Sequence, residues 1–492
     1  MTMALLGAVQ TLALVQTWAW PLPMATAALL VWRLDSASPG RAAVLAWSYG
    51  TGWLMAAVWW LFISLHRYGG LPAPVAAAAV LALAAALSLY LAAAGALYAR
   101  WRRGDGSDAL LWAALWLLAE LARGVLFTGF PWGAAGYTQV DSPLALLAPW
   151  LGVYGIGAVL AALAVAALRL AQSRGRQWHG LVAVAVLMGA TTLAPRDFTQ
   201  PAGEIDVALV QTNVAQDEKF AADAMPETLA WVAQALLSAR ADVVVAPETA
   251  VPLLPFQLRD LAPGYWETVA THFAVPGRAA LIGVPLGDFE RGYTNSAIGL
   301  SAAPAYRYDK HHLVPFGEFI PTGFRWFTQM MNIPLGDFAR GVLVPPPFIA
   351  GAQRLGPNIC YEDLFGEELA RRFADAATAP TVLVNISNIA WFGDSIAIRQ
   401  HLNISRLRSL ELQRPMLRST NTGATAIVDH RGAVAALLPP HTRGVLQGRV
   451  QGREGTTPFA AWAGRAGLWP LLGAALLTLM LLWLHTRRAG RA

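Results

Sequence analysis

Cysteine is almost missing from this chain. Cys360 is the only one in 492 residues, so no disulfide can form within it. Charge is scarce too: 13% of the residues are charged and 56% are hydrophobic, against roughly 25% charged in a typical soluble domain. A surface that poor in charge cannot cover a soluble protein of this length, so a large part of the chain is expected inside a membrane. Acids are outnumbered by bases, 30 to 36, which leaves a net charge of +6. No glycine-rich phosphate loop follows a strand. His311 and His312 are adjacent and would point to opposite faces of a strand, and no zinc-type ligand spacing occurs. Basic residues do not gather with aromatics in a nucleic-acid-binding pattern. No cofactor, no metal and no nucleic-acid partner are therefore expected.

What is present begins with long apolar runs. Residues 5–34 are too long for one crossing of about 20 residues and are broken at Pro21 and Pro23, which predicts two short crossings. Further segments are expected at 42–63, 72–98, 109–128, 143–169 and 177–194, with a last one at 466–486. The fifth segment carries Glu120 and Arg123, three apart and so on one helix face, where they can pair. Eight crossings place both termini on one side and the intervening domain on the other. Arg33 and Arg41, Arg100 to Arg103, Arg169 to Arg176, and Arg487 to Arg491 then all fall on the side of the termini. By the positive-inside rule that side is the cytoplasm. His66-Arg67 falls on the other side. The expected division is a seven-helix membrane domain at 1–196, an extramembrane domain at 204–451, and a C-terminal transmembrane helix at 466–486. The first segment has no basic n-region and is expected to stay attached.

From 204 to 451 charge returns and the apolar runs shorten. Strands are predicted at 205–211, 241–246, 279–284, 295–300, 381–385, 424–428 and 444–446. Helices are predicted at 228–238 and 400–412. This alternation argues for an α/β layered domain. Cys360 follows the apolar run 342–350 and borders a polar stretch, where a strand would end and present a side chain to a cleft. A lone cysteine is more often a small buried hydrophobe, so its company decides. Glu248 in Ala246-Pro247-Glu248-Thr249, Lys310 in Tyr308-Asp309-Lys310-His311-His312, and Glu318 in Pro315-Phe316-Gly317-Glu318 also lie at ends of β-like segments. Together the four are chemically complete for acyl transfer. One carboxylate takes the thiol proton, the lysine holds an oxyanion, the cysteine carries the acyl group, and a second carboxylate orients the lysine or handles an incoming amine.

These motifs carry a resemblance over most of the chain. Ser64-Leu65-His66-Arg67-Tyr68-Gly69-Gly70-Leu71-Pro72, Gly129-Phe130-Pro131-Trp132, the run from Asp309 to Glu318, Cys360-Tyr361-Glu362, Val384-Asn385-Ile386-Ser387-Asn388 and Arg418-Ser419-Thr420-Asn421-Thr422-Gly423 resemble apolipoprotein N-acyltransferases. These are the membrane-bound branch of the nitrilase (carbon–nitrogen hydrolase) superfamily. The resemblance implies an αββα sandwich on an eight-helix membrane base. It implies a Glu248–Lys310–Cys360 triad, an essential second glutamate at Glu318, and supporting residues at Tyr361 and Glu362. It further implies a periplasmic active domain anchored in the bacterial inner membrane. The activity implied is transfer of an acyl chain from a phospholipid, usually phosphatidylethanolamine at sn-1, to the α-amine of the diacylglyceryl cysteine of apolipoproteins. The sequence departs from the pattern in three places. Phe220 stands where a tryptophan is usual, Ile389 replaces an aspartate, and Ala397-Ile398 replace Gly-Pro. A monomer is the simplest expectation. A nitrilase-like amidase uses the same triad but has no need of seven preceding crossings, and a scaffold without chemistry has no need of all four polar residues.

Overall fold

The computed structural model describes residues 2–172, 189, 196–320 and 338–489. The chain divides into two compact units. One comprises Met1–Phe62, Ala73–Asp197 and Arg465–Ala492, and the other Ile63–Pro72 and Phe198–Gly464.

The first unit is helical. The run 5–34 breaks into helices Thr2–Gln10, Leu12–Val15 and Leu22–Leu34, the last opening at Pro21 and Pro23, as fixed proline φ favours at a helix start. Longer helices follow at Pro39–Val58, Ala73–Leu87, Leu89–Trp101, Ser107–Val125 and Ala148–Gln172. Among the described residues, three stretches are long and apolar enough to cross a membrane: Ala73–Trp101, Ser107–Thr128 and Pro143–Gln172. The pair Pro458–Ala466 and Trp469–His485, bent by 92°, would make a fourth. The eight crossings expected from the sequence are thus not met. The pieces of the first run are each too short to span. Pro39–Val58 is diluted by polar and glycine residues from Ser48 to Gly52. The seventh expected segment, 177–194, lies outside the described residues apart from Gly189.

Charges buried in this unit are paired, as burial demands. Arg123 lies 3.7 Å from Glu120 and donates to the carbonyls of Phe130 and Trp132 at 2.9 and 2.8 Å. Glu120 accepts from the Ala135 amide at 2.7 Å. The pair ties its helix to the 130–135 turn. Arg169 is held by Asp35 at 2.5 Å and Asp108 at 2.7 Å. Arg169, counted in the sequence among the basic residues that close the sixth segment, is thus an ion-paired charge within this unit.

The second unit is a four-layer sandwich. Strands β1 (Thr199–Gln211), β2 (Val243–Ala246), β3 (Ala279–Asp288), β4 (Gly292–Leu300), β5 (Tyr306–Asp309) and β12 (Gly444–Gly455) form one sheet in the order β12-β1-β2-β3-β4-β5. Strands β6 (Phe348–Ala350), β7 (Gln353–Ile359), β8 (Val382–Ser387), β9 (Met416–Thr420), β10 (Ala426–Val428) and β11 (Val434–Leu437) form the other, β11-β10-β9-β8-β7-β6. Each sheet has three adjacent parallel strands, β1-β2-β3 and β7-β8-β9, flanked by antiparallel ones. The period of two sorts the layers. Ile205, Val207 and Leu209 face the other sheet, packing with Val243, Val245, Leu355, Val382, Val384 and Leu417. Ala208 and Val210 face outward onto the helices Met225–Ser238 and Tyr265–Phe273. On the far side, Leu383, Met416 and Val428 meet Phe373, Leu412 and Phe459. The predicted strands lie within these strands or overlap them, and the predicted helices 228–238 and 400–412 lie within Met225–Ser238 and Ala397–Leu412.

The strand that delivers Cys360 is β7, not the apolar run 342–350, of which only Phe348–Ala350 pairs. Pro357 inside β7 disguised it. Its carbonyl accepts from Arg372, away from β8. Because a strand residue's N and O point the same way, the missing N–H faces the side that β6 has already left. Gly283 in β3 performs a similar service for β2. A Cβ there would stand 2.2 Å from the Pro247 carbonyl and 2.7 Å from Glu248 Cα. We predict that Gly283→Ala, by overpacking of about 1–3 kcal/mol, lowers the unfolding midpoint of the protein in detergent by several degrees. An unchanged midpoint would mean that the 247–249 turn does not rest on β3.

Candidate active site

The ends of the parallel strands converge. Glu248 follows β2, Cys360 follows β7, Asn388 follows β8 and Asn421 follows β9, while Lys310 follows the antiparallel β5. Ligands of open α/β sheets characteristically lie beyond the carboxyl ends of parallel strands. Here two such sheets face each other and contribute from both sides.

Lys310, 1% exposed, is the hub. Its Nζ lies 2.9 Å from Glu318 Oε1 and 3.7 Å from Glu248 Oε1. The Asn295 amide bridges the same two carboxylates, donating to Glu248 at 2.6 Å and Glu318 at 2.7 Å. The second oxygen of Glu248 accepts from the Asn388 amide at 2.7 Å, and that of Glu318 from the Val314 amide at 2.8 Å. Burial disfavours the Lys310 ammonium, but Glu318 and then Glu248 outweigh it and hold the group above the ordinary lysine value. Cys360 is half-buried. Burial first, then the Glu248 charge, push its thiol well above the usual range, against the pull of Lys310. At rest Cys360 is therefore a thiol rather than a thiolate.

Backbone strain gathers here. Cys360 has φ 53°, Thr249 47°, Phe316 63° and Asn213 48°, a left-handed region that side chains other than glycine adopt at a cost of about 1–3 kcal/mol. The Cys360 carbonyl is fixed by Asn385 Nδ2 at 3.1 Å and by His401 Nε2 at 3.3 Å. Behind it, Asp363 is buried against His401 at 3.0 Å and Arg418 at 3.2 Å. Burial raises the Asp363 pKa, but His401 and Arg418 more than reverse that and leave it lowered.

Of the expected supporting residues, Glu362 braces strand ends. It accepts from the amides of His311 (2.8 Å), His312 (3.1 Å) and Ile359 (2.6 Å) and from the Tyr308 hydroxyl. Tyr361 is buried beside His312 and Phe365, with ring centroids 5.8 and 5.2 Å away. Phe220 stands apart, 47% exposed on the loop after β1. Ile389 is buried against Gly423, and Ala397-Ile398 open the buried helix Ala397–Leu412. Sequence reasoning missed Asn295, Asn388, Asp363 and His401. Asn295 and Asn388 had a usable signal, since each stands in or directly after a β-like segment. Asp363 and His401 are brought together only by the fold. Among the described residues no group of three or more His, Cys, Asp or Glu is arranged to hold a metal.

The carboxylate–ammonium–carboxylate clamp and the strained cysteine stand at the strand ends of an αββα sandwich. Residues 206–458 match the carbon-nitrogen hydrolase family model, and residues 6–166 match that of the apolipoprotein N-acyltransferase N-terminal domain. An apolipoprotein N-acyltransferase of Verminephrobacter eiseniae is 51% identical, covering 94% of this chain and 92% of its own length. That of Ralstonia nicotianae is 46% identical, covering 99% and 94%. A carbon-nitrogen hydrolase structure from Helicobacter pylori covers 55% of this chain and 94% of its own at 19% identity and TM-score 0.36, too distant to argue from. The chain belongs to the apolipoprotein N-acyltransferase family.

Asn295 offers a test of the clamp. In Asn295→Asp a third carboxylate would face Glu248 and Glu318 and make the thiolate harder to form. Alkylation of Cys360 by iodoacetamide, read by intact mass, is expected to slow about tenfold, the effect of one pKa unit. Equal rates in variant and parent would show that Asn295 does not couple the two carboxylates to the thiol.

Proposed function

We propose that this acyltransferase moves an acyl chain from a membrane phospholipid, phosphatidylethanolamine at sn-1 in the first instance, to the α-amine of a diacylglyceryl cysteine at an apolipoprotein N-terminus. The observation that carries the reading is the buried Glu248–Lys310–Glu318 clamp beside Cys360. The names of the full-length relatives and the apolar helices support the substrate classes.

The reaction runs in two halves. Glu248 takes the Cys360 proton as Sγ attacks the ester carbonyl, and Lys310 stabilises the oxyanion. The bond to the glycerol oxygen breaks, that oxygen leaves with the proton from Glu248, and Cys360 holds a thioester. The amine then attacks the thioester carbonyl. Glu248 takes a proton from the nitrogen and returns one to Sγ as the C–S bond breaks, leaving an amide. Glu318 keeps Lys310 in place through both halves. Tyr361, Glu362 and Phe220 support the site or its substrates without entering the chemistry. Both substrates are anchored in lipid, and extracting either would cost about 0.8 kcal/mol for each CH₂ exposed. A membrane base at 1–196, a periplasmic domain at 204–451, a last crossing at 466–486 and cytoplasmic termini would place the site at the outer face of the inner membrane, working as a monomer.

The test uses purified protein in detergent with acyl-labelled phosphatidylethanolamine and no amine. Hydroxylamine-sensitive label on the parent protein is expected by intact mass, with none on Cys360→Ser and at least 100-fold slower labelling of Glu248→Gln. A diacylglyceryl peptide should then take the label as an amide. Release of free fatty acid instead would make the enzyme a hydrolase, and parent protein that never carries the label would end the thioester route.

A further inference from the structure

Of the 36 basic residues counted as Lys or Arg, only two are lysines, Lys219 and Lys310. Both are buried at this site. A chain that uses arginine for nearly every positive charge has kept the compact, point-like ammonium at these two places. Lys310 is accounted for above, but Lys219 is not. It lies on the loop after β1 and is 4% exposed. Its Nζ donates to the main-chain carbonyl of Glu248 at 3.0 Å, its one hydrogen bond to an acceptor among the described residues. Its side chain interacts electrostatically with Glu248 and Cys360.

The loop that carries it is fixed from several sides. Lys219 N bonds to the Ala215 carbonyl at 2.9 Å. Gln216 accepts from Asn388 Nδ2 at 2.8 Å, and the amide of that same Asn388 holds the Glu248 carboxylate. Asp217 meets Arg67 at 2.8 Å. A mere tie between loop and turn needs no charge, and burying an ammonium on a single neutral acceptor is unfavourable. What compensates it is the charge count. Glu248 and Glu318 carry two negative charges against the single positive charge of Lys310. Passing a proton between Cys360 and Glu248 leaves that excess of one unchanged. Glu362 is already served by four donors and lies near Arg372.

We propose that Lys219 is a positioning residue for the base: its ammonium clamps the Glu248 main chain and supplies the second positive charge that the Glu248–Cys360 pair requires while it exchanges a proton. The proposal rests on the acyl-transfer reading for its rates but not for its placement. Burial lowers the Lys219 pKa to about 8, with Glu248 and Cys360 pulling it back up. The groups that bear on this titration are Glu248 on the β2 turn, Cys360 at the end of β7, Lys310 after β5, Asp217 and Glu218 on its own loop, and Arg67 beyond Asp217. Because the folded pKa is depressed, the charge is present below about pH 8 and is lost as pH rises through that value.

Two readouts are taken on the full chain in detergent: alkylation of Cys360 by iodoacetamide, and labelling by acyl-labelled phosphatidylethanolamine without amine. Lys219→Met is expected to slow both at least tenfold at pH 7, with KM for the lipid changed less than twofold and the unfolding midpoint retained. Lys219→Arg should recover part of the rate. Parental labelling should fall as pH rises through about 8, and that limb should be absent from both variants. A Lys219→Met protein that matches the parent in both readouts overturns the proposal while the transferase reading stands. A fall in melting temperature with the limb still present makes Lys219 a structural tie and also overturns it. A parent that never takes the acyl label, but whose alkylation slows in Lys219→Met and not in Lys219→Arg, ends the transferase reading and leaves Lys219 where we place it.

Discussion

One buried ammonium shared by two carboxylates is the constraint on which the rest of the structure depends. In water such a triad would be worth little, but away from solvent the interaction grows severalfold and so does the penalty for leaving any member unpaired. Each carboxylate oxygen of Glu248 and Glu318 accordingly has a donor. Asn295 bridges Glu248 and Glu318, and backbone amides of Asn388 and Val314 take their outer oxygens. Removing any of these would strand a charge in a dry place. That dependence explains why the clamp is assembled from four separate segments, the turn after β2, strand β4, the residues after β5 and the turn after β8, and why all four must be registered to a few tenths of an ångström.

The two-sheet architecture supplies that registration. Parallel strand ends are rigid and point the same way, so residues just beyond them inherit the precision of the sheets. The strained backbone at Thr249 and Cys360 is tolerable only because its surroundings over-determine it. The buried Asp363–His401–Arg418 cluster and Asn385 hold the Cys360 carbonyl from behind. Glu362 laces the ends of β5 and β7 together. Gly283 lets the 247–249 turn lie flat on β3. Each of these spends local stability on one geometry, which is the signature of a preorganised site.

The parts legible in the sequence were those whose chemistry is written in one place. Glu248, Lys310, Glu318 and Cys360 stand at the ends of β-like segments, and the strands interleaved with helices from 205 onward argue for a layered α/β domain. What escaped was relational. Asn295 looks like an ordinary strand residue until β4 and β5 pair and bring Lys310 beside it. The strand before Cys360 was concealed by Gly356 and Pro357, whose suitability depends on where β6 stops. The sequence suggests more crossings than the described residues support, because the pieces on either side of Pro21 read as short spans and the stretch whose glycine-rich middle lies in Pro39–Val58 reads as a full one. Nor does the sequence distinguish Arg169, neutralised by Asp35 and Asp108, from a loop charge.

The choice of lysine at the hub follows from what a shared cation has to do. An arginine would present a planar fork and lock onto one carboxylate through two bonds. Lys310 instead touches Glu318 at 2.9 Å and stands off Glu248 at 3.7 Å, committed to one partner and only leaning toward the other. In the proposed reaction Glu248 becomes neutral as it accepts the thiol proton, so its hold on the ammonium weakens just as negative charge appears on the substrate carbonyl oxygen. Glu318, still ionised and still fixed by Val314 and Asn295, keeps the ammonium from drifting. The cation is thus released toward the oxyanion by the same proton movement that creates it. This coupling requires two carboxylates with unequal grips on one point charge, and the asymmetry of the clamp provides them.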